Sequence, residues 1–251
     1  MNFLEYNESD FYNHLKKLGL KKKMQVVIHS SLILFLNKKS PEYLFRALSK
    51  IIGDGGTIFF PLFTFKKHGN SIFKKFESRP NAMGLLSNHI WQNYRDDINR
   101  SNCFIHSYGA YGKNLRLLDS VKIDRSYGAG SFFDFAYKQN MFFISFGLNL
   151  SNGCTQIHNS ESLINVPYKK KTYLKRRYEI DGLIKKVKYK YHIKSKRFSS
   201  DFSKLEKILI RKKIIKKVNL TSKIYSLSGN IERLQDTTIQ EIKKNSLLLV
   251  K

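Results

Sequence analysis

The chain has 251 residues, of which 41% are hydrophobic, so it is long enough to bury a substantial core. Its 46 Lys and Arg residues against 19 Asp and Glu give a net charge of +27, which either reflects a general Lys-rich composition that solvates the surface or favours anionic partners. Its apolar runs are far shorter than the roughly 20 residues of a membrane-spanning helix, and residues 1–10 carry acidic side chains where a signal peptide carries basic ones. We therefore expect a cytoplasmic protein without a membrane partner.

Hydrophobic spacing predicts helices alternating with strands through the first two thirds of the chain. Helices are predicted over residues 8–19, 41–52 and 84–94, with Ser40 capping the second. Strands are predicted over residues 25–28, 57–62 and 141–146. This alternation is typical of a layered α/β fold, and we expect a central, mostly parallel or mixed sheet flanked by helices.

The C-terminal third has a different residue pattern and holds most of the excess of basic over acidic residues. Asp181-Gly182 is a favoured pair for a tight turn, and it separates residues 175–180 from residues 183–193, where aromatic and β-branched residues alternate with Lys and Arg. The pattern predicts a Lys-rich β-hairpin, followed by a helix over residues 201–216. Because neither a repeat nor a low-complexity linker interrupts the sequence, we expect a single domain over residues 1–251.

Three segments carry residues suited to chemistry. His29-Ser30-Ser31-Leu32 follows a predicted strand, where backbone N–H groups could hold a phosphate, a carbonyl or an oxyanion; equally, Ser30 or Ser31 could cap the next segment. The second segment begins at Arg100-Ser101 and ends at His106-Ser107. An Arg-Ser pair ahead of a histidine suits anion or carbonyl binding, although a lone histidine is more often structural.

The third segment contains His158 and Glu161, which follow the predicted strand over residues 141–146. On a helix starting near Asn152 these side chains are i and i+3 neighbours on one face. A carboxylate beside an imidazole orients it and raises its basicity, as proton abstraction from an amine requires. An ordinary surface His-Glu pair is the simpler reading of this segment alone.

Metal and nucleotide motifs are missing from the sequence. The seven histidines are scattered without zinc-ligand spacing, and Cys103 and Cys154 form no CxxC pair. We therefore expect no metal. The histidines are His14, His29, His68, His89, His106, His158 and His192. The basic segment over residues 185–196, with its interleaved Tyr residues, leaves a nucleic-acid-binding protein as the alternative, which we rank well below an enzyme because a known binding signature is lacking.

In order along the chain, these motifs resemble the aminoglycoside 3-N-acetyltransferases, or antibiotic N-acetyltransferases. The resemblance extends from the HSSL motif at residues 29–32, through RSxHPxHS at residues 100–107, to T.LHxAE at residues 155–161. Further matching motifs lie at residues 55–64, 80–84, 128–131, 229–234 and 247–249. Cys103-Phe104, Asn81 and Ser160 depart from the family pattern.

The resemblance implies an α/β fold distinct from the smaller GNAT fold, acetyl-CoA as co-substrate and direct acetyl transfer to a small-molecule amine. It implies that coenzyme A contacts the segment His29, Ser30, Ser31 and Leu32 and the pair Arg100 and Ser101. It gives the catalytic role to His158 with Glu161, and His106 is the next candidate. Because acidic residues are so few, we expect the acceptor to be an amino sugar in an anionic setting, such as a nucleotide-linked amino sugar, in preference to a polycationic aminoglycoside.

Overall fold

The computed structural model describes residues 3–65, 72–81 and 83–251. Across these ranges the chain forms ten strands and eight α-helices. The strands are β1 (Gln25–Ser30), β2 (Thr57–Pro61), β3 (Ile72–Phe73), β4 (Ile98–Arg100), β5 (Tyr108–Gly112), β6 (Phe142–Phe146), β7 (Lys169–Ile180), β8 (Leu183–Lys194), β9 (Ile215–Asn219) and β10 (Tyr225–Asn230). The helices are α1 (Glu8–Lys17), α2 (Ser40–Ile52), α3 (Leu85–Asn93), α4 (Phe132–Lys138), α5 (Leu150–Gly153), α6 (Gln156–Leu163), α7 (Ser203–Arg211) and α8 (Ile231–Lys244).

A seven-stranded sheet forms the centre, in the order β4-β5-β2-β1-β6-β10-β9. The central strand β1 pairs in parallel with both β2 and β6, whereas the outer pairings are antiparallel. The expected mixed sheet flanked by helices is thus confirmed, but it is parallel only at its centre. The carboxyl ends of β1, β2 and β6 meet at one edge, where α/β folds place their ligands.

Each face of the sheet supports its own hydrophobic cluster. Along β1, Val26 and Ile28 point into the cluster that contains α1 and α2, while Val27 points into the cluster that contains α4, α6 and α8. This division follows from the two-residue period of a strand, which sends successive side chains to opposite faces. A run of apolar residues such as β1 is therefore buried on both sides.

The helix boundaries follow local capping chemistry. Asn7 and Asp10 form a reciprocal capping box at the start of α1. Ser40 is the first residue of α2 and not its cap, which corrects the predicted boundary by one residue. The predicted helix near Asn152 is divided into α5 and α6, because Cys154 leaves the helical conformation between them, with φ −137° and ψ 83°.

The basic hairpin is confirmed and is longer than predicted. Its strands β7 and β8 pair over 12 residues each, and Asp181 and Gly182 form the turn with φ values of 52° and 74°. Strand β3 pairs in parallel with β7 to make a second, three-stranded sheet. The predicted helix over residues 201–216 is wrong at its end: α7 stops at Arg211, Lys213 has a φ of 55°, and Ile215 begins strand β9. Among the helices in the described ranges, none is both long and apolar enough to cross a membrane.

Candidate active site

The two residues predicted to form a catalytic pair meet on α6. Nδ1 of His158 lies 2.5 Å from Oε2 of Glu161, so the predicted i, i+3 contact is confirmed. Since Nδ1 faces a carboxylate, the neutral imidazole carries its proton there and leaves the lone pair on Nε2. The side chain of His158 is 26% exposed, while that of Glu161 has no exposed surface. Nε2 is therefore the ring nitrogen that can accept a proton.

Glu161 is held by Lys169, the first residue of β7, and by Tyr168 just before it, as well as by His158. The hydroxyl of Tyr168 donates to Oε1 at 2.8 Å, and the ammonium of Lys169 donates to Oε2. Burial alone would raise the pKa of Glu161, but the hydrogen bond from His158 and the charges of His158 and Lys169 outweigh it and lower the pKa to about 2. Glu161 is accordingly ionised at neutral pH.

Opposing influences set the basicity of His158. Burial lowers its pKa, the hydrogen bond to Glu161 raises it, and the charges of Lys169 and Lys194 lower it further, with a net lowering from the ordinary value of 6.5. The imidazole is therefore neutral, and able to accept a proton, at neutral pH. Phe202 packs against the ring with a centroid distance of 5.4 Å.

A cleft of about 300 Å³ lies at the amino-terminal end of α6, one turn before His158. Its lining includes His29, Ser30, Gly84, Ser87, Asn152 and Thr155. Gly84 precedes the first residue of α3 and Thr155 precedes the first residue of α6, so two helix N-termini point their partial positive charge at this cleft. Such an arrangement favours a phosphate or a developing oxyanion.

Gly84 is needed where this cleft meets the carboxyl end of β1. A Cβ atom at position 84 would lie 2.7 Å from the carbonyl oxygen of Ser30, which is closer than side chains approach backbone oxygens. The close approach brings the motif over residues 80–84 against the His29-Ser30 segment. Ala82 of that motif lies outside the described residues.

The structure separates the four residues predicted to form the HSSL cofactor contact. His29 and Ser30 line the cleft. The backbone N–H of Ser31 instead donates to the carbonyl of Phe146 at 2.9 Å, and Leu32 is buried in the core. Ser31 therefore has no free N–H for an oxyanion, which corrects that expectation for this residue.

His29 is fixed by an aromatic neighbour. Its Nε2 lies 3.0 Å from the hydroxyl of Tyr108, and burial lowers its pKa to about 4. Tyr108 in turn stacks on Phe132 with a centroid distance of 3.7 Å. His29 is thus a neutral side chain that lines the cleft and is held in a fixed orientation by Tyr108.

The predicted cofactor residues Arg100 and Ser101 have no exposed surface. The guanidinium of Arg100 donates to the carbonyls of Leu62, Lys75 and Ser78 and to Oγ of Ser107. Oγ of Ser101 accepts from the N–H of Tyr108 at 2.9 Å. Since these donors and acceptors are engaged inside the protein, the structure gives both residues a supporting role in place of the predicted contact with coenzyme A.

His106 is not part of the His158 pair. Its Nδ1 lies 2.7 Å from Oγ of Ser126 and its Nε2 lies 3.2 Å from the hydroxyl of Tyr127. Burial, followed by the charges of His158 and Lys169, lowers its pKa to about 3. The ring of Tyr127 contacts both His106 and His158. His106 therefore packs behind Tyr127, which in turn packs against His158.

A second cavity, of about 480 Å³, lies on the hairpin side of the pair. It is lined by Tyr168 and Lys169, which hold Glu161, and by Lys170, Lys194 and Lys196. Sequence reasoning missed these residues as parts of the site because they belong to a general run of basic residues. They lie at the base of the observed hairpin, and Tyr168, Lys169 and Lys170 come before residue 175, where the predicted hairpin begins.

Among the described residues, no group of three or more His, Cys, Asp or Glu side chains is arranged to hold a metal ion. His68 lies outside the described residues.

The sequence model of the family described as aminoglycoside 3-N-acetyltransferase matches residues 27–234. A search of curated proteins gives no significant match. Among solved structures, aminoglycoside acetyltransferase AAC(3)-Xa is similar with a TM-score of 0.82 and 17% identity, covering 96% of this chain and 93% of that one. AAC-IIIb, solved as a binary complex with CoASH, has a TM-score of 0.80 and 15% identity, covering 96% and 97%. The YokD protein of Bacillus subtilis has a TM-score of 0.78 and 19% identity, covering 97% and 96%.

Proposed function

The chain belongs to the aminoglycoside 3-N-acetyltransferase family, and from that premise we propose that it transfers the acetyl group of acetyl-CoA directly to an amino group of an amino sugar, with His158 as general base. The observation that supports this role best is the contact between Nδ1 of His158 and the buried carboxylate of Glu161. The family assignment favours catalysis over the nucleic-acid-binding alternative.

We assign coenzyme A to the cleft at the amino-terminal end of α6, one turn before His158. Two helix N-termini at this cleft offer partial positive charge to its phosphates. His29, Ser30, Asn152 and Thr155 would line the bound cofactor. Acetyl-CoA supplies the thioester carbonyl that the amine attacks and the thiol that leaves.

The remaining chemistry is proton transfer by the protein. An amine in water is largely an ammonium ion, which has no lone pair for attack, so Nε2 of His158 removes its proton. Glu161 holds the imidazole through Nδ1 and stabilises the imidazolium that results. The nitrogen loses a second proton as the amide forms. Of the two protons, one passes through the imidazolium to the leaving thiolate of coenzyme A and the other is released to water, which restores the neutral base.

The acceptor is proposed to be an amino sugar in an anionic setting, with a nucleotide-linked amino sugar preferred to an aminoglycoside. Opposite charge steers and holds a ligand, and this chain carries 46 basic against 19 acidic residues. Among the described residues that line the cavity beside the pair, none carries a carboxylate.

Acetyl transfer and acceptor choice can be tested together by thiol release from acetyl-CoA. The enzyme is supplied with a panel of aminoglycosides and a panel of nucleotide-linked amino sugars. We expect turnover to be higher with the nucleotide-linked panel. Efficient turnover of aminoglycosides with none of the nucleotide-linked sugars would contradict the acceptor preference and leave acetyl transfer intact. No release with either panel would contradict the proposed acceptor class as a whole.

A further inference from the structure

Two lysines flank the His158–Glu161 pair at the base of the hairpin. Lys169 begins β7, Lys194 ends β8, and the two stand directly opposite each other in the antiparallel ladder. Like charges placed opposite each other destabilise a sheet. Other basic pairs lie along this hairpin, but Lys169 differs from them in burial, because its side chain is only 8% exposed.

Lys169 is partly neutralised, and Lys194 is not. The ammonium of Lys169 donates to Glu161 and lies 3.1 Å from Nδ1 of His158. The ammonium of Lys194 donates to the hydroxyl of Ser200 at 2.7 Å, a partner that carries no charge. One carboxylate thus serves His158 and Lys169 together, and the positive charge of Lys194 remains without a counterion among these contacts.

Both lysines line the 480 Å³ cavity, together with Lys170 and Lys196. Four lysines along one cavity create a positive potential that repels a polycation and attracts an anion. Since Lys169 also contacts Glu161 and lies beside Nδ1 of His158, an anion bound here would lie on the Nδ1 side of the catalytic pair.

We propose that Lys169 and Lys194 form a subsite that binds a phosphate group of the acceptor and so determine which amines are acetylated. The inference rests on the proposed function, because it places the acceptor in the cavity beside His158. A phosphate in this subsite pairs with Lys194 and shares Lys169 with Glu161. The subsite thereby selects amines that also carry a phosphate group and disfavours polycationic amines.

Calorimetric titration of inorganic pyrophosphate tests the subsite directly. The protein is first saturated with coenzyme A, so that pyrophosphate does not report on the cofactor cleft. The variants are Lys169→Met, Lys194→Met and the control Lys185→Met, which removes the same charge from an exposed position near the hairpin turn. Thermal melts show whether each variant is folded. If Lys169→Met does not fold, the comparison of Lys194→Met with Lys185→Met still decides the test.

We expect pyrophosphate to bind the wild-type protein and Lys185→Met equally, and to bind Lys194→Met at least about tenfold more weakly. In thiol-release assays, Lys194→Met should lose preference for an amino sugar phosphate over the same sugar without phosphate. Equal pyrophosphate affinity in Lys194→Met and Lys185→Met would overturn the subsite. Coenzyme A binding distinguishes this result from a failure of the proposed acetyl transfer. If the subsite alone is wrong, the wild-type protein and every variant still bind coenzyme A. If the wild-type protein does not bind coenzyme A, the proposed acetyl transfer itself is wrong.

Discussion

The ammonium of Lys169 lies 3.1 Å from Nδ1 of His158, and both groups contact the same oxygen of Glu161. A cation so close to an imidazole disfavours the imidazolium, whereas the carboxylate favours it. The pKa of His158 therefore depends on both neighbours: Glu161, which accepts from the imidazole, and Lys169, whose ammonium competes for the same carboxylate oxygen.

The pH profile should report this arrangement. A histidine base works when neutral, so kcat/KM falls as the pH drops below its pKa; because burial and the lysines lower the pKa of His158, the acidic limb should lie below pH 6.5. Lys169→Met removes a charge that lowers this pKa and should move the limb to higher pH. Lys185→Met serves as the matched control and should leave the limb in place. A limb that moves to lower pH in Lys169→Met contradicts the arrangement.

Glu161→Gln should lower the free energy of unfolding as well as the catalytic rate. It removes the buried partner of Lys169, and breaking a buried ion pair from one side typically costs about 3–5 kcal/mol. Urea denaturation measures the loss. Glu179→Gln is the matched control, since Glu179 pairs with Lys74 at a more exposed position, and loss of an exposed pair should lower the free energy of unfolding far less. Similar losses in the two variants would show that Glu161 is not an effective buried partner.

Arg100→Met tests the supporting role of that residue. The variant removes the hydrogen bonds that the buried guanidinium donates to the carbonyls of Leu62, Lys75 and Ser78, so we expect a clearly lower Tm. Thermal melts and the KM for acetyl-CoA are measured together. If Arg100 contacted coenzyme A, the variant would raise KM selectively and leave Tm unchanged. Arg125→Met, which removes an arginine from an ion pair near the surface, provides the comparison.

Local features of the fold and site could be predicted from sequence, whereas long-range contacts could not. The His158–Glu161 contact is set by i, i+3 spacing on one helix, and the hairpin turn is set by the φ preferences of Asp181-Gly182. Both features can therefore be predicted from the sequence. The burial of Arg100 is not visible in the sequence, because it depends on carbonyls from two distant segments of the chain, one at Leu62 and one at Lys75 and Ser78. Lys169 was missed because its contact with Glu161 arises only when β7 folds back on α6. The end of α7 was misjudged because the apolar residues that continue its helical spacing belong to β9.

The most direct test of the account is the turnover number of His158→Ala, measured by thiol release with acetyl-CoA and the best acceptor from the two panels. Coenzyme A binding and Tm are measured alongside, so that a folded, cofactor-binding variant is compared with the wild-type protein. Loss of a general base typically lowers the rate about 10²–10⁴-fold, and we predict a fall in kcat of that size. Turnover near that of the wild-type protein would contradict the assignment of His158 as the base.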